Sequence, residues 1–141
     1  DVVIVDMSHI INEVNLLILD NCYMSLFITT NDLIDLKNMK SMVSIFKDAG
    51  KKNYLVCLNN SRDTGRDYLS LFDIRNIIKC NIDYTISNSF YIKNIDKYVM
   101  NGEILTLNKS INRFHAASVN KIRDIAVELI SDKYKDGGRR G

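Results

Sequence analysis

Glycine is scarce, and its placement excludes a phosphate loop within this chain. None of the six glycines precedes Gly50, and Gly50-Lys51 belongs to no GxxxxGK[ST] pattern. Without a glycine-rich turn between a strand and a helix, there is no cradle of backbone N–H groups for a triphosphate. Cysteine is sparse as well. Cys22, Cys57 and Cys80 sit in or beside apolar runs, with no CxxC and no Cys/His pairing. An odd count without metal spacing argues for reduced, buried thiols, as in a cytosolic protein. No apolar stretch approaches the roughly 18 residues that a membrane span requires. The net charge of +2 is small, so it neither calls for nucleic acid nor rules it out. Proline is absent, and the abundant Asn, Ile and Lys match an AT-rich coding bias that carries no functional weight.

What is present is 141 residues, 46% of them apolar, enough for one core or for part of a larger one. Val2 to Val5 is a continuous apolar run, which predicts a strand buried on both faces. Ser8 is placed to cap a helix whose apolar positions are Ile10, Ile11, Val14, Leu17 and Ile18, broken at Asp20-Asn21. Cys22 to Thr29 reads as a second strand. Asn31-Asp32 then caps a helix with the stripe Leu33, Leu36, Met39, Met42, Val43 and Phe46, closed by Gly50. Tyr54 to Leu58 is a third strand, followed by the polar loop Asn59 to Asp67. A short helix over Leu69 to Ile78 and a weaker strand over Ile82 to Ile86 come next. Ser89 to Met100 is predicted helical, ending at Asn101-Gly102. A last helix spans about Asn112 to Tyr134, with Val119, Ile122, Ile125, Ala126, Leu129 and Ile130 on its apolar face. Strands alternating with helices imply an α/β fold with a mostly parallel sheet and right-handed crossovers.

Parallel sheets bind ligands at the carboxyl ends of their strands. The strand ends here deliver Asp6-Met7-Ser8, then Thr29-Thr30-Asn31-Asp32, then Asn59-Asn60, then Ser87-Asn88-Ser89. All are polar, as a binding edge needs and as many ordinary loops also are. Asp6 has the sharper pattern, four apolar residues and then a carboxylate. That is the shape of a Walker B strand, which orients magnesium or its waters beside a nucleotide. It is also the shape of a helix-capping acid, or of the phosphoryl acceptor of a receiver domain.

The order of these pieces resembles the second half of a MinD/ParA-type (deviant Walker) ATPase. Within that group it is most similar to the CpaE/TadZ pilus-assembly proteins. The stretch DVVIVDMSHIINEVNLLILDNCYMSLFITTNDLIDLKNMKSM carries most of the likeness, joined by YLVCLNN and TISNSFYIKNIDKYVMNGEIL. The resemblance implies a P-loop NTPase-like α/β domain that lacks its N-terminal phosphate-loop part. Residues 1–134 would be the C-terminal portion of that domain, and 135–141 a disordered tail. It implies Asp6 as the catalytic and magnesium carboxylate and Asn59 as the adenine contact. It places Thr30, Asn31 and Asp32, with Ser87 and Asn88, at the nucleotide or dimer edge. ATP and Mg2+ would bind only if the phosphate loop is supplied. A homodimer working with protein partners of a pilus or secretion machine is implied, in the cytoplasm, with recruitment to the membrane or cell pole through partners. The family's proline after the Walker B aspartate is replaced by Met7-Ser8, and its proline after Thr-Thr by Asn31. In this family the phosphate-loop strand lies between the first two strands seen here. The chain alone is then expected to expose strand edges and apolar surface, and to fold poorly without its other half.

A second class of function stays open: a non-enzymatic interaction domain, either a degenerate ATPase fold or a pseudo-receiver. Lys51 and Lys52 precede the third strand instead of ending it, which disfavours the receiver. His9 and His115 lack partners at metal-ligand spacing and read as capping or surface residues. Arg62, Asp63, Arg66 and Asp67 read as a solvated loop with local ion pairs. The last helix mixes Lys121, Arg123, Asp124, Glu128, Asp132 and Lys133 on its polar face, so it is expected to pack on the sheet and not on a membrane.

Overall fold

The computed structural model describes residues 2–8, 10–60, 69–90 and 92–131 of this chain. Its described helices and strands run α1 (Glu13–Asn21), β1 (Ser25–Thr30), α2 (Leu33–Asp48), β2 (Tyr54–Asn59), α3 (Leu71–Ile78), β3 (Tyr84–Ile86) and α4 (Ile95–Met100). A turn of 3-10 helix (Leu105–Leu107), α5 (Lys109–Phe114) and α6 (Ala116–Ile130) complete the order. The three strands form one parallel sheet, β1-β2-β3.

β2 sits in the middle and is apolar without a break, because both of its faces are covered. Leu55, Val56, Cys57 and Leu58 are all buried. Val56 and Leu58 point into a core built with Leu36, Met39 and Val43 of α2 and with Ile74 and Ile78 of α3. Cys57 points the other way, with Ile86 of β3 and Ile125 of α6, joined at the margin by Leu26, Tyr84, Ile122 and Leu129. The predicted stripe of the last helix therefore holds at Val119, Ile122, Ile125 and Leu129. Ala126 and Ile130 turn outward.

α2 forms where the sequence places it. The Asp32 carboxylate accepts from the Ile34 amide at 2.9 Å, capping the helix. Gly50 adopts the left-handed conformation (φ 68°), and the Lys51 amide behind it closes onto Phe46 O at 2.9 Å. A residue with Cβ would be strained there.

α3 opens on a reciprocal cap. The Ser70 hydroxyl accepts from the Asp73 amide at 3.2 Å, and the Asp73 carboxylate accepts from the Ser70 amide at 3.0 Å. The bonds from the Ser70 side chain, and then from its backbone, hold the Asp73 carboxyl below its ordinary value. A depressed folded value means that this contribution is complete above the unfolded aspartate range. It is lost as pH falls through the lowered value. Ser70→Ala is expected to cost about 1 kcal/mol, the usual worth of a helix cap, and to flatten the acid limb of the stability profile. Urea titrations at neutral pH and in mild acid measure both.

The head of the chain departs from expectation. Val2 to Val5 forms no strand and is exposed, from 56% at Val5 to 87% at Ile4. A strand needs a neighbour for its backbone groups, and among the described residues β1 makes its ladder with β2 alone. Ser8 is not the cap of α1. Asn12 takes that role, accepting from the Asn15 amide at 2.8 Å. Asn15 Nδ2 in turn donates to the Ile10 carbonyl at 2.7 Å and to the Ser8 carbonyl and hydroxyl at 3.2 Å. The predicted apolar stripe of α1 faces outward at Ile10, Ile11, Val14 and Leu17. Among the described residues its C-terminal end is moored by Lys51, which pairs with Asp20 at 2.8 Å and donates to Leu19 O at 3.2 Å.

Two helices are shorter than predicted. Helix forms over Ile95–Met100 and not from Ser89, because Ser87 and Ser89 bond to each other in a local turn (2.9 Å) and Asn94 sits at φ 57°. The last helix is two, broken at His115, which has left helical geometry at φ -125° and sets its ring edge-on to Phe90 at 5.4 Å. Asn108 caps the first piece by accepting from the Ser110 and Ile111 amides. His9, the loop with Arg62, Asp63, Arg66 and Asp67, Asp132, Lys133 and the tail 135–141 lie outside the described residues.

Candidate functional site

Parallel register carries the strand ends to one edge. Thr30, the last residue of β1, is the register partner of Asn59, the last of β2, and Asn59 pairs in turn with Ile86 of β3. Adjacent strands lie about 4.8 Å apart, so Thr30 and Asn59 stand next to each other at the strand ends. Asn31 and Asp32 follow directly on β1, and Ser87 and Asn88 on β3. The Asn60 amide still donates to Ile86 O at 3.0 Å, which keeps the β2 exit aligned with the β3 exit. Six of the seven sequence-predicted site residues thus share the carboxyl edge. Thr30, Asn31, Asp32 and Asn59 are half-buried there, and Ser87 and Asn88 are exposed. Asp6 lies outside the three strands, in the irregular, exposed head segment.

The β1 exit is held by side chains. The Thr30 hydroxyl donates to the Asp35 carboxylate in a short bond and accepts from the Asp32 amide at 3.1 Å. Asp35 was not singled out by the sequence. Its signal, an acid in the first turn of α2, reads as an ordinary helix-dipole partner. At the β3 exit, Ser87 Oγ accepts from the Ser89 amide at 3.2 Å and donates to Asn88 Oδ1 at 3.3 Å.

Among the described residues the edge offers hydroxyl, amide and carboxylate groups for hydrogen bonding. Burial raises the Cys57 thiol above its ordinary value, and it raises Cys80 to about 11 against the opposing pull of Lys47. Both stay protonated at neutral pH, far from thiolate reactivity. Tyr84 is also raised, by burial and by its hydrogen bond to Glu128, and it serves to fasten α6 to β3. Among the described residues no three His, Cys, Asp or Glu side chains group as metal ligands. No described helix is long and apolar enough to cross a membrane.

A parallel α/β sheet with helices on both faces and polar strand exits along one edge is the layout of the MinD/ParA-type fold, and this chain has that fold. A chain of the MinC:MinD cell division protein complex of Aquifex aeolicus superposes on 82% of it with a TM-score of 0.62 and 17% identity. The match takes in 48% of that chain, so the present chain spans about half the length of its structural neighbour. No protein-family model matches the sequence, and no curated protein does.

Proposed function

We propose that this chain is the base-binding portion of a nucleotide-switch ATPase-like protein of the MinD/ParA class, of the CpaE/TadZ kind, working in positioning or assembling a pilus or secretion apparatus. One observation carries the reading: Thr30, Asn31, Asp32, Asn59, Ser87 and Asn88 converge on the carboxyl edge of a parallel sheet. The fit to magnesium ATP is one-sided. Half-buried amide and hydroxyl groups suit a purine edge, with Asn59 as the adenine contact. The phosphate end has no glycine-rich loop in this chain, and Asp6 stands outside the three strands.

Both gaps have the same remedy in this reading. One further parallel strand on the free side of β1 would give Val2 to Val5 a neighbour, make it a strand and bring Asp6 to the edge. In this reading that strand would bring the phosphate loop with it. When bound, ATP with magnesium would supply the conformational signal, and this chain would hold the base and orient the metal's waters through Asp6. The structural neighbour is part of a two-protein complex, which supports protein partners for this fold. A homodimer in the cytoplasm, recruited through partners, belongs to the same proposal.

The test is magnesium ATP binding by calorimetry to the natural polypeptide carrying this chain. Asp6→Ala is expected to weaken it by about 10- to 100-fold, as loss of a metal-orienting group does. Unchanged affinity removes Asp6 from the site. Absence of any ATP binding by the natural polypeptide favours the second reading, a partner-binding domain on a degenerate ATPase fold. The position of Asp6 outside the three strands is the observation on that side.

A further inference from the structure

The turn leaving β1 is organised around a side chain that the strand itself does not supply. Thr30 is half-buried and commits its one hydroxyl proton to Asp35, five residues on in the first turn of α2. The same oxygen accepts the Asp32 amide at 3.1 Å, and Asp32 then caps α2 through Ile34 at 2.9 Å. The bonds form one chain, Asp35 to Thr30 to Asp32 to Ile34, and Asn31 is the residue enclosed by it. Resting on the nucleotide reading above, we infer that Asp35 is the positioning residue of the site.

Its carboxylate fixes the Thr30 rotamer and so the direction in which Asn31 leaves the strand. The same bond sets the chemistry that Thr30 can offer. A hydroxyl whose proton is engaged by a carboxylate can only accept. Thr30 therefore meets a hydrogen-bond donor, such as the exocyclic amine of a base, and not a phosphate oxygen. The Asp35 charge beside it repels phosphate for the same reason.

Amide hydrogen exchange on the natural polypeptide carrying this chain tests the positioning role without any ligand. Asp35→Ala should speed exchange at Asp32 by about tenfold, the loss of one charge-assisted bond in the chain. Thr30→Val should do the same, and the double variant should add little to either. Thr30→Ser, which keeps the hydroxyl, should restore slow exchange. Unchanged exchange at Asp32 in Asp35→Ala, or full additivity in the double variant, overturns the inference. ATP titration of the natural polypeptide reads the other half separately. Weaker binding in Asp35→Ala, with Thr30→Ser near wild type, supports both. A loosened turn with no ATP binding in any form leaves Asp35 as the organiser of the turn and overturns the nucleotide reading alone.

Discussion

Phe46→Ala is expected to lower stability by about 3–5 kcal/mol, the largest loss from any single truncation considered for this chain. Phe46 is 2% exposed, and its ring meets Phe27 edge-on at 4.8 Å and Tyr54 edge-on at 5.6 Å. Those two rings come from neighbouring strands, so Phe46 joins α2 to β1 and β2 at one point. Truncation removes the transfer energy of the ring, leaves a cavity among stiff neighbours, and forfeits both aromatic contacts. A domain of this size has a total stability of about 5–15 kcal/mol, so the loss is a large fraction of the whole. Urea denaturation followed by circular dichroism measures the change. Phe46→Leu should lose clearly less, since it refills most of the space. Equal losses for Ala and Leu would show that volume is not what Phe46 contributes.

Asp83→Ala is expected to cost about 1–3 kcal/mol, through a backbone group and not through packing. The Asp83 carboxylate accepts the Val56 amide at 2.8 Å, while the Asp83 amide donates to Val56 O at 2.9 Å. Val56 is wholly buried in the central strand. Alanine keeps the second bond and removes the first, which leaves a buried N–H without its acceptor. Asp83→Asn retains an oxygen and should recover most of the loss. Thermal melts of the three forms, with amide exchange at Val56, give the answer. A melt for Asp83→Ala within error of wild type would mean that water takes the carboxylate's place.

Apolar periodicity and helix caps made α2 and the middle of the sheet legible. Leu36, Met39, Val43 and Phe46 are buried as their spacing requires, and the Asp32 cap and the Gly50 close are local signals that the chain obeys. The head was misread because a strand is defined by its neighbour. Val2 to Val5 has the composition of a buried strand, but no residue pattern reveals whether a second strand stands beside it. The stripe of α1 misleads in the same way, since periodicity shows a face and not what lies against it. The break at His115 was hidden for another reason. NRFHAAS contains neither glycine nor proline, and the break coincides with a contact to Phe90, far away in sequence.

The candidate site divides along similar lines. That Thr30, Asn59 and Ser87 would share an edge followed from topology, because parallel strands all exit on one side. That Thr30 would be tied to Asp35 did not follow, since side-chain bonding across a turn depends on rotamers that spacing does not encode. Asp6 could be recognised as a pattern, but its position depends on a strand that does not form.

The single-sided ladder of β1 has a consequence for the timing of assembly. β2 is covered on both faces, and β1 is zipped to β2 over its whole length from Ser25 to Thr30. An extended segment arriving at the free side of β1 would find Thr30 and Asn59 already set side by side. Docking would then complete a half-built lock without disturbing its tumblers. In kinetic terms, the pairing of these two strand ends precedes any such encounter.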